Sequence, residues 1–287
     1  MTVQAIQALE PEFGLPVLLK VAGMARSTYY YRLNALKAPD KYGEAREKLK
    51  ELHELHERHK CRYGYRRMTA ALRDCGFSIN HKTVRKLMRE EGIECKIRRK
   101  RKAFFKPSPE LAASPNILKR DFSSDAPWLK AVTDVTEFYI GAKKVYASAL
   151  LDLYDGAIMS FVLSTSNDSN LVMSMYESMP KDEFKRLDNM LVHSDQGILY
   201  RSHRYHEFIA SKKMVQSMSR RGNCYDNAVA ESFFGTFKCE TIKLYRIDTL
   251  EQLAKELEEY ARYYNQERIK STLGYKTPME YRRLHGF

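Results

Sequence analysis

Apolar residues recur at helical spacing through the first third of this chain, and in strand-like runs through much of the rest. Residues 13–35 predict two short helices. Leu15–Ala22 is apolar, Gly23 breaks the run, and Ser27 is placed to cap a second helix through Tyr29, Tyr30, Tyr31 and Arg32. Their size fits a small helix-turn-helix within residues 1–40, or equally a plain helical hairpin resting on the next domain. Residues 36–43, with Pro39, Asp40 and Gly43, read as a linker. Three helices follow. The first runs from about Glu44 to His59, with Leu49, Leu52 and Leu55 on one side. The second runs from about Tyr65 to Asp74 and ends at Gly76. The third is capped by Asn80 and turns Val84, Leu87 and Met88 inward.

Beyond residue 128 the pattern changes. Ala131–Ile140, Val145–Leu153 and Ile158–Leu163 predict strands, joined by turns at Gly141 and Asp155-Gly156. A helix opens at Asn167 or Ser169 and runs to about Met179. Then come a strand at Met190–Ser194, a helix at Ser202–Lys213 and a short strand at Val215–Ser219. Asp226 or Asn227 caps the next helix, and a Thr249/Gln252 capping box opens a long one striped with Leu253, Leu257, Tyr260 and Tyr264. The order implies an α/β domain: a mixed five-stranded sheet with helices on both faces. Residues 103–127, with Pro107, Pro109, Pro115 and Pro127 among serines, predict a linker. The expected domains are therefore 1–40, 41–102 and 128–287, with residues 103–127 as the tether.

Composition narrows the class. The 44% hydrophobic content supports a packed core, and no apolar run has the roughly 18 residues of a membrane helix. Met1–Glu10 lacks the basic flank and apolar core of a secretory signal. Five scattered cysteines without a C-x-x-C pair point to reduced thiols, so a cytosolic protein is expected. His53, His56, His59 and Cys61 lack the second ligand pair of a structural zinc site, and a solvent-facing or DNA-facing position is expected for the histidines.

Charge changes the picture more. Residues 41–106 carry 21 Lys and Arg against nine Asp and Glu, which accounts for nearly all of the net charge of +13. The third helix of this segment presents Lys82, Arg85, Lys86 and Arg89 on one face. A basic third helix in a three-helix unit suits insertion into the major groove of double-stranded DNA. Arg98, Arg99, Lys100, Arg101 and Lys102 then form a basic run suited to tracking phosphates.

The chemistry is carried by acids. Asp134 sits mid-strand, Asp195 just past a strand's end, and Glu231 in the first turns of a helix, 36 positions after Asp195. Hard oxygen ligands with open positions suit Mg²⁺ or Mn²⁺, and two such ions roughly 3.5–4 Å apart stabilise the attacking and leaving oxygens of a phosphodiester. Ala228, Glu231, Gly235 and Lys238 share one helix face; the small residues leave room for substrate, and Lys238 is placed to contact a phosphate. Asp152 is a further strand acid that could approach the metals or be structural. His193 and Gln196 are expected to shape the loop at Asp195, with a general-base role for His193 left open.

Taken in order, these motifs resemble a known family. Trp128 with Thr133-Asp134-Val135-Thr136, His193-Ser194-Asp195-Gln196-Gly197 with Tyr200, and Asp226-Asn227-Ala228 through Glu231, Phe233, Phe234, Lys238 and Glu240 resemble the three acid motifs of DDE transposases. Arg62-Tyr63-Gly64-Tyr65-Arg66-Arg67, with Val84, Leu87 and Met88, resembles the family's helix-turn-helix module. Tyr264-Asn265, Arg268, Leu273-Gly274-Tyr275 and Thr277-Pro278 resemble its C-terminal tail. The chain is identified as similar, over nearly its whole length, to the OrfB product of bacterial insertion sequences of family three. That resemblance implies a retroviral-integrase-like core of RNase H fold, with Asp134, Asp195 and Glu231 as catalytic and metal-holding acids. It implies DNA strand cleavage at element ends and strand transfer by the freed 3′-OH. It also implies homo-oligomers on paired DNA ends in the cytoplasm, at the nucleoid, and an OrfA-type partner or fused upstream domain. Lys270 departs from the family, in which many relatives carry His. The residues alone also fit an RNase H-like nuclease of another kind, or a DNA-binding regulator with a silent core.

Overall fold

The computed structural model describes residues 3–37, 43–93, 95, 113–244 and 246–287. Its first unit comprises α1 (Val3–Phe13), α2 (Leu15–Val21) and α3 (Arg26–Lys37), which close a small core around Ile6, Leu18, Leu19 and Tyr29. The spacing above begins at residue 13 and omits α1, whose Pro11 inside the helix argues against helix by ordinary rules. Ser27 lies within α3 rather than capping it. Pro39 and Asp40 of the expected linker lie outside the described residues.

The second unit holds α4 (Gly43–Arg58), α5 (Tyr65–Asp74) and α6 (His81–Glu90). Leu52, Leu55, Met68, Leu72, Val84 and Met88 form its core. The Asn80 side chain accepts from the Lys82 N–H and so starts α6.

The third unit is built on β1 (Lys130–Ile140), β2 (Lys143–Asp152) and β3 (Ile158–Ser164). Then come α7 (Ser169–Glu177), α8 (Lys181–Lys185), β4 (Leu191–Ser194), α9 (His203–Ser211) and β5 (Val215–Met218). The helices α10 (Ala228–Glu240), α11 (Leu250–Gln266) and α12 (Pro278–Leu284) complete it. The strand order is β3-β2-β1-β4-β5. Tight turns make the first three strands antiparallel, and Gly141, at φ +58°, supplies the backbone that the two-residue β1–β2 loop needs. Helical crossovers bring β4 and β5 in parallel to β1.

Alternation along the strands feeds two cores. On one face Val132, Phe138 and Ala149 meet Phe233 and Phe237 of α10 and Leu253, Leu257 and Tyr260 of α11. On the other, Ala131 and Leu150 meet Val172, Met175 and Tyr176 of α7 and Tyr205 and Ile209 of α9. The short helices α8 and α12 are absent from the sequence reading; α8 buries none of its five residues and so leaves no apolar stripe. Asp168, not Asn167 or Ser169, caps α7, accepting from two backbone N–H groups.

Of the expected linker, residues 103–112 lie outside the described residues. The next stretch lies along the sheet edge. The Pro115 carbonyl accepts from the Met218 N–H, Ser217 Oγ accepts from the Ile117 and Leu118 N–H groups, and Leu118 is buried. An edge strand covered in this way is closed to pairing with another chain. Among the described residues no helix is long and apolar enough to cross a membrane.

Candidate active site

The parallel pairing of β1 with β4 joins Val132 to His193. Continued by two residues, the same register sets Asp134 beside Asp195. Both therefore point to the face on which α10 lies, since residues two apart on a strand share a face. The opposite orientation is fixed by Thr133, whose hydroxyl meets the Tyr200 hydroxyl and the Met175 sulfur in the other core. The Asp195 carboxylate accepts from the Gly197 N–H at 2.8 Å. A Cβ at residue 197 would stand 2.8 Å from that same oxygen, so any larger residue there would push the Asp195 carboxylate aside.

The third acid is brought in by α10. Asn227 Nδ2 donates to the Thr133 carbonyl, immediately before Asp134. Further along, Phe237 packs edge-to-face on Phe138 with ring centroids 5.8 Å apart, so α10 runs along β1. Glu231, one turn into the helix, is exposed and near enough to Asp134 for its charge to act on that carboxyl. Burial, and then the charges of Asp195 and Glu231, hold the Asp134 carboxyl well above the usual carboxylate range. Burial also raises that of Asp195. Such mutual repulsion is what a divalent cation relieves, so the donor set fits a hard ion. Among the described residues no three His, Cys, Asp or Glu side chains are already gathered into a metal cage. Mg²⁺ tolerates this, because it keeps water and substrate oxygens in its shell.

Asp226 and Asn227 do other work than helix capping, for neither side chain caps α10. The buried Asp226 carboxylate accepts from Arg220 (Nε 2.9 Å), from Arg120 (Nε 2.6 Å) and from Asn116 (Nδ2 2.9 Å). These bonds hold its carboxyl far below the usual range. They tie the stretch before the sheet to the turn that launches α10.

Lys238 is half-buried, with Nζ 5.0 Å from the Phe138 ring centre, and burial lowers its pKa. His193 is fully buried; Nδ1 meets Ser217 Oγ at 2.8 Å and Nε2 meets Ser219 Oγ at 3.1 Å. Burial brings it down to about 4, so it is neutral at neutral pH, and with both ring nitrogens held by buried serine hydroxyls it serves the structure of the core. Gln196 shapes the loop as expected, donating to the Ser219 carbonyl. Asp152 does not approach the site; it is buried, accepts from the Trp128 and Tyr154 N–H groups, and pairs with Arg282. Asp155 pairs with Arg282 as well. Lys270 Nζ donates to the Asp155 carbonyl, which gives the family-divergent lysine a structural place.

On α6, Lys82, Arg85, Lys86 and Arg89 are all exposed and line a groove of ≈ 710 Å³ with Tyr65. Arg66 and Arg85 each stand 5.7 Å from the Tyr65 ring centre. The arm residues Arg98, Arg99, Lys100, Arg101 and Lys102 lie outside the described residues. His59, expected at the surface, is buried and stacks on Tyr63 at 3.8 Å. His53 is exposed and meets Glu91 at 3.2 Å.

One group escaped sequence reasoning beyond its place in a motif. Glu240, at the end of α10, is 9% exposed and takes two bonds from Arg268 at 2.8 and 2.9 Å, with a third from the Tyr260 hydroxyl. The signal was present: Phe233, Phe237 and Glu240 follow one another at i, i+4 and i+7, so an acid extends an apolar stripe.

Residues 44–101 match the model of an HTH-like domain, and residues 125–224 and 212–278 match models of the integrase core domain. A protein of Escherichia coli K12 bearing the name transposase InsK for insertion sequence element IS150 is 40% identical over 97% of this chain and 97% of its own length. A Shigella flexneri protein bearing the name of a transposase for insertion sequence element IS1353 is 36% identical over 99% of this chain, which spans 55% of that relative's length. Among solved structures, the magnesium complex of the HTLV-2 integrase catalytic core aligns with a TM-score of 0.45 at 18% identity, over 55% of this chain and 98% of that one.

Proposed function

Because this chain belongs to the transposases of bacterial insertion sequences, enzymes of the DDE polynucleotidyl-transferase type with an integrase core, we propose that Asp134, Asp195 and Glu231 are its catalytic acids. The observation that supports this most directly is the β1–β4 register, which sets two aspartates side by side under the helix that carries the glutamate.

The three carboxylates would hold two Mg²⁺ or Mn²⁺ ions. Bound there, the ions supply Lewis-acid stabilisation to the attacking and leaving oxygens of the phosphodiester. The chain's own residues do the rest. Ala228 and Gly235, on the helix face of Glu231, leave room for the DNA backbone. Lys238 contributes positive charge on that face, where a phosphate carries its negative charge. Water is the first nucleophile: it forms one P–O bond as the bond to the 3′ oxygen breaks, and a 3′-OH is freed. That hydroxyl then attacks a target phosphodiester, again making one P–O bond for one broken. His193 takes no proton in either step.

We assign recognition of double-stranded DNA to the domain of residues 41–102, through Lys82, Arg85, Lys86 and Arg89 and the run Arg98–Lys102. Phosphate contacts from such residues give affinity and salt dependence. Joining two element ends calls for more than one copy on the DNA. An OrfA-type protein or fused upstream domain completes the assembly, a reading supported by the greater length of the Shigella relative. The site of action is the nucleoid.

The experiment is DNA cleavage and joining on a substrate carrying the element's end, with Mg²⁺ or Mn²⁺, comparing the chain with Glu231→Gln, Asp134→Asn and Asp195→Asn. Joining is expected from the chain and from none of the variants, while all bind DNA. Joining retained by any variant removes that acid from the site.

A further inference from the structure

We propose that Arg62–Arg67 is a rigid joint that fixes the DNA-reading helix α6 relative to the catalytic helix α10, with Tyr63 and Glu240 as positioning residues that set which phosphodiester reaches the acids. The proposal rests on the DNA-binding and catalytic assignments above and adds what couples them.

The segment is not a solvated connection. Arg62, 5% exposed, donates from Nε to the Glu240 carbonyl at 2.9 Å and pairs with Glu256 at 3.1 Å. Its guanidinium lies 4.5 Å from the Tyr263 ring centre on α11. The buried Tyr63 hydroxyl donates to the Glu267 carbonyl at 2.9 Å and accepts from the Ile269 N–H at 3.3 Å. Arg67 comes within 3.7 Å of the Glu240 carboxylate. The apolar core of the three-helix unit takes Ile269 from the integrase-like domain as one of its own members, with Tyr275 packed against it. Domains that move freely meet through small polar surfaces. Here buried charges and a shared core define one arrangement, since any slip would strand the Arg62 guanidinium and the Tyr63 hydroxyl without their partners.

The joint acts on α10 itself. Glu240 stands nine residues after Glu231, about 13 Å along the helix at 1.5 Å per residue. α5 starts at Tyr65, within the joint, and leads into α6, with Tyr65 lining the groove beside Arg85. One motif thus has two faces: Arg62, Tyr63 and Arg67 hold the core, while Tyr65 faces the DNA-binding side. DNA gripped by α6 is thereby held at a set distance from Asp134, Asp195 and Glu231.

The test uses the full chain with Tyr63→Phe and, separately, Glu240→Gln. Amide hydrogen exchange is read first, without DNA or metal. Ile269 is expected to be protected in the wild type and to exchange about tenfold faster in Tyr63→Phe, the factor given by losing one hydrogen bond of ordinary strength. Wild-type exchange at Ile269 as fast as in an unstructured peptide overturns the joint. Joining is then mapped to the nucleotide on DNA carrying the element's end. The wild type is expected to join at one position, and both variants to keep its DNA affinity while spreading their products over neighbouring positions. A slower reaction confined to the wild-type position overturns the positioning role, because a merely structural contact changes rate or stability and not register. If the wild type joins nothing with either ion, alone or with the OrfA-type partner added, the catalytic reading above fails, and the exchange result decides the joint by itself.

Discussion

Replacing Arg268 by Met tests whether the end of α10 is held by a desolvated ion pair. Arg268 is 6% exposed, and its guanidinium grips both Glu240 oxygens, the geometry of a strong charge-assisted pair. Methionine keeps most of the apolar stem and removes the charge. The Glu240 carboxylate is then left with the Tyr260 hydroxyl at 3.0 Å and Arg67 at 3.7 Å, the latter partly in water. Removing one partner of a buried pair costs roughly 3–5 kcal/mol. A domain of this size shifts by roughly 2–4 °C per kcal/mol, so Tm should fall by about 10 °C.

The sign of the pH dependence sharpens the test. Burial pushes the Glu240 carboxyl up, but Arg268 and its bonds outweigh burial and hold it below its usual value. A lowered carboxyl contributes stability that is present above the unfolded pKa and is lost as pH falls through the folded one. Without Arg268, burial prevails and the folded pKa rises above the unfolded value. The variant's penalty then grows with rising pH, so the Tm gap to wild type should be wider at pH 8 than at pH 5. Adding Glu240→Leu should recover much of the loss, since no charge is left buried. Thermal unfolding of all three proteins at both pH values reads this out. A gap worth less than about 1 kcal/mol, the range of a surface pair, and equal at both pH values would refute the reasoning.

Further expectations concern the cleft, the DNA-facing helix and the buried histidines. Mg²⁺ should raise the Tm of the wild type, by the equivalent of about 2.7 kcal/mol at a hundred times its dissociation constant, and not that of Asp134→Asn. No shift in the wild type would count against a cation between the acids. Replacing Lys82, Arg85, Lys86 and Arg89 by Ala should lower the slope of log K against log salt by about 0.9 for each phosphate no longer neutralised; an unchanged slope would remove α6 from the DNA. His193 and His59, both brought by burial from 6.5 to about 4, favour the unfolded state as they take up protons, so stability should fall between those pH values. His193→Gln should flatten part of that fall and leave the pH profile of strand joining unchanged near neutrality; a shifted profile would restore His193 as a base.

Sequence and structure agree most closely where a local rule determines the element. The five strands, the Asn80 cap and the Thr249/Gln252 capping box follow from neighbours in the chain, and all are found. Asp134 and Asp195 stand out as acids on or at the end of apolar runs. Their adjacency could not be read, because β1 meets β4 across some sixty residues and pairing partners are not written into either strand. Asp226 resembles a helix cap, since Asp before a helix usually is one. Only the fold brings Arg120 and Asn116 to it from before the sheet. His193 and His59 carry no mark of burial in their own neighbourhoods, and their roles depend on Ser217, Ser219 and Tyr63. Pro11 and the five-residue α8 escape for the opposite reason, as local signals there point away from helix.

The place of β1 in the sheet also fixes when the enzyme becomes dangerous. β1 lies at the centre, with its hairpin partner β2 on one side and β4 on the other. The hairpins close early, because their strands are neighbours in the chain and little entropy is lost in pairing them. Asp195 arrives only after two more helices have been synthesised, and Glu231 another 36 residues later. A chain cut short before β4 thus holds folded hairpins and one lone aspartate from the site, and one cut short before α10 still lacks Glu231. On the assignment proposed above, strand-breaking chemistry would come into being only with the last layers of the domain.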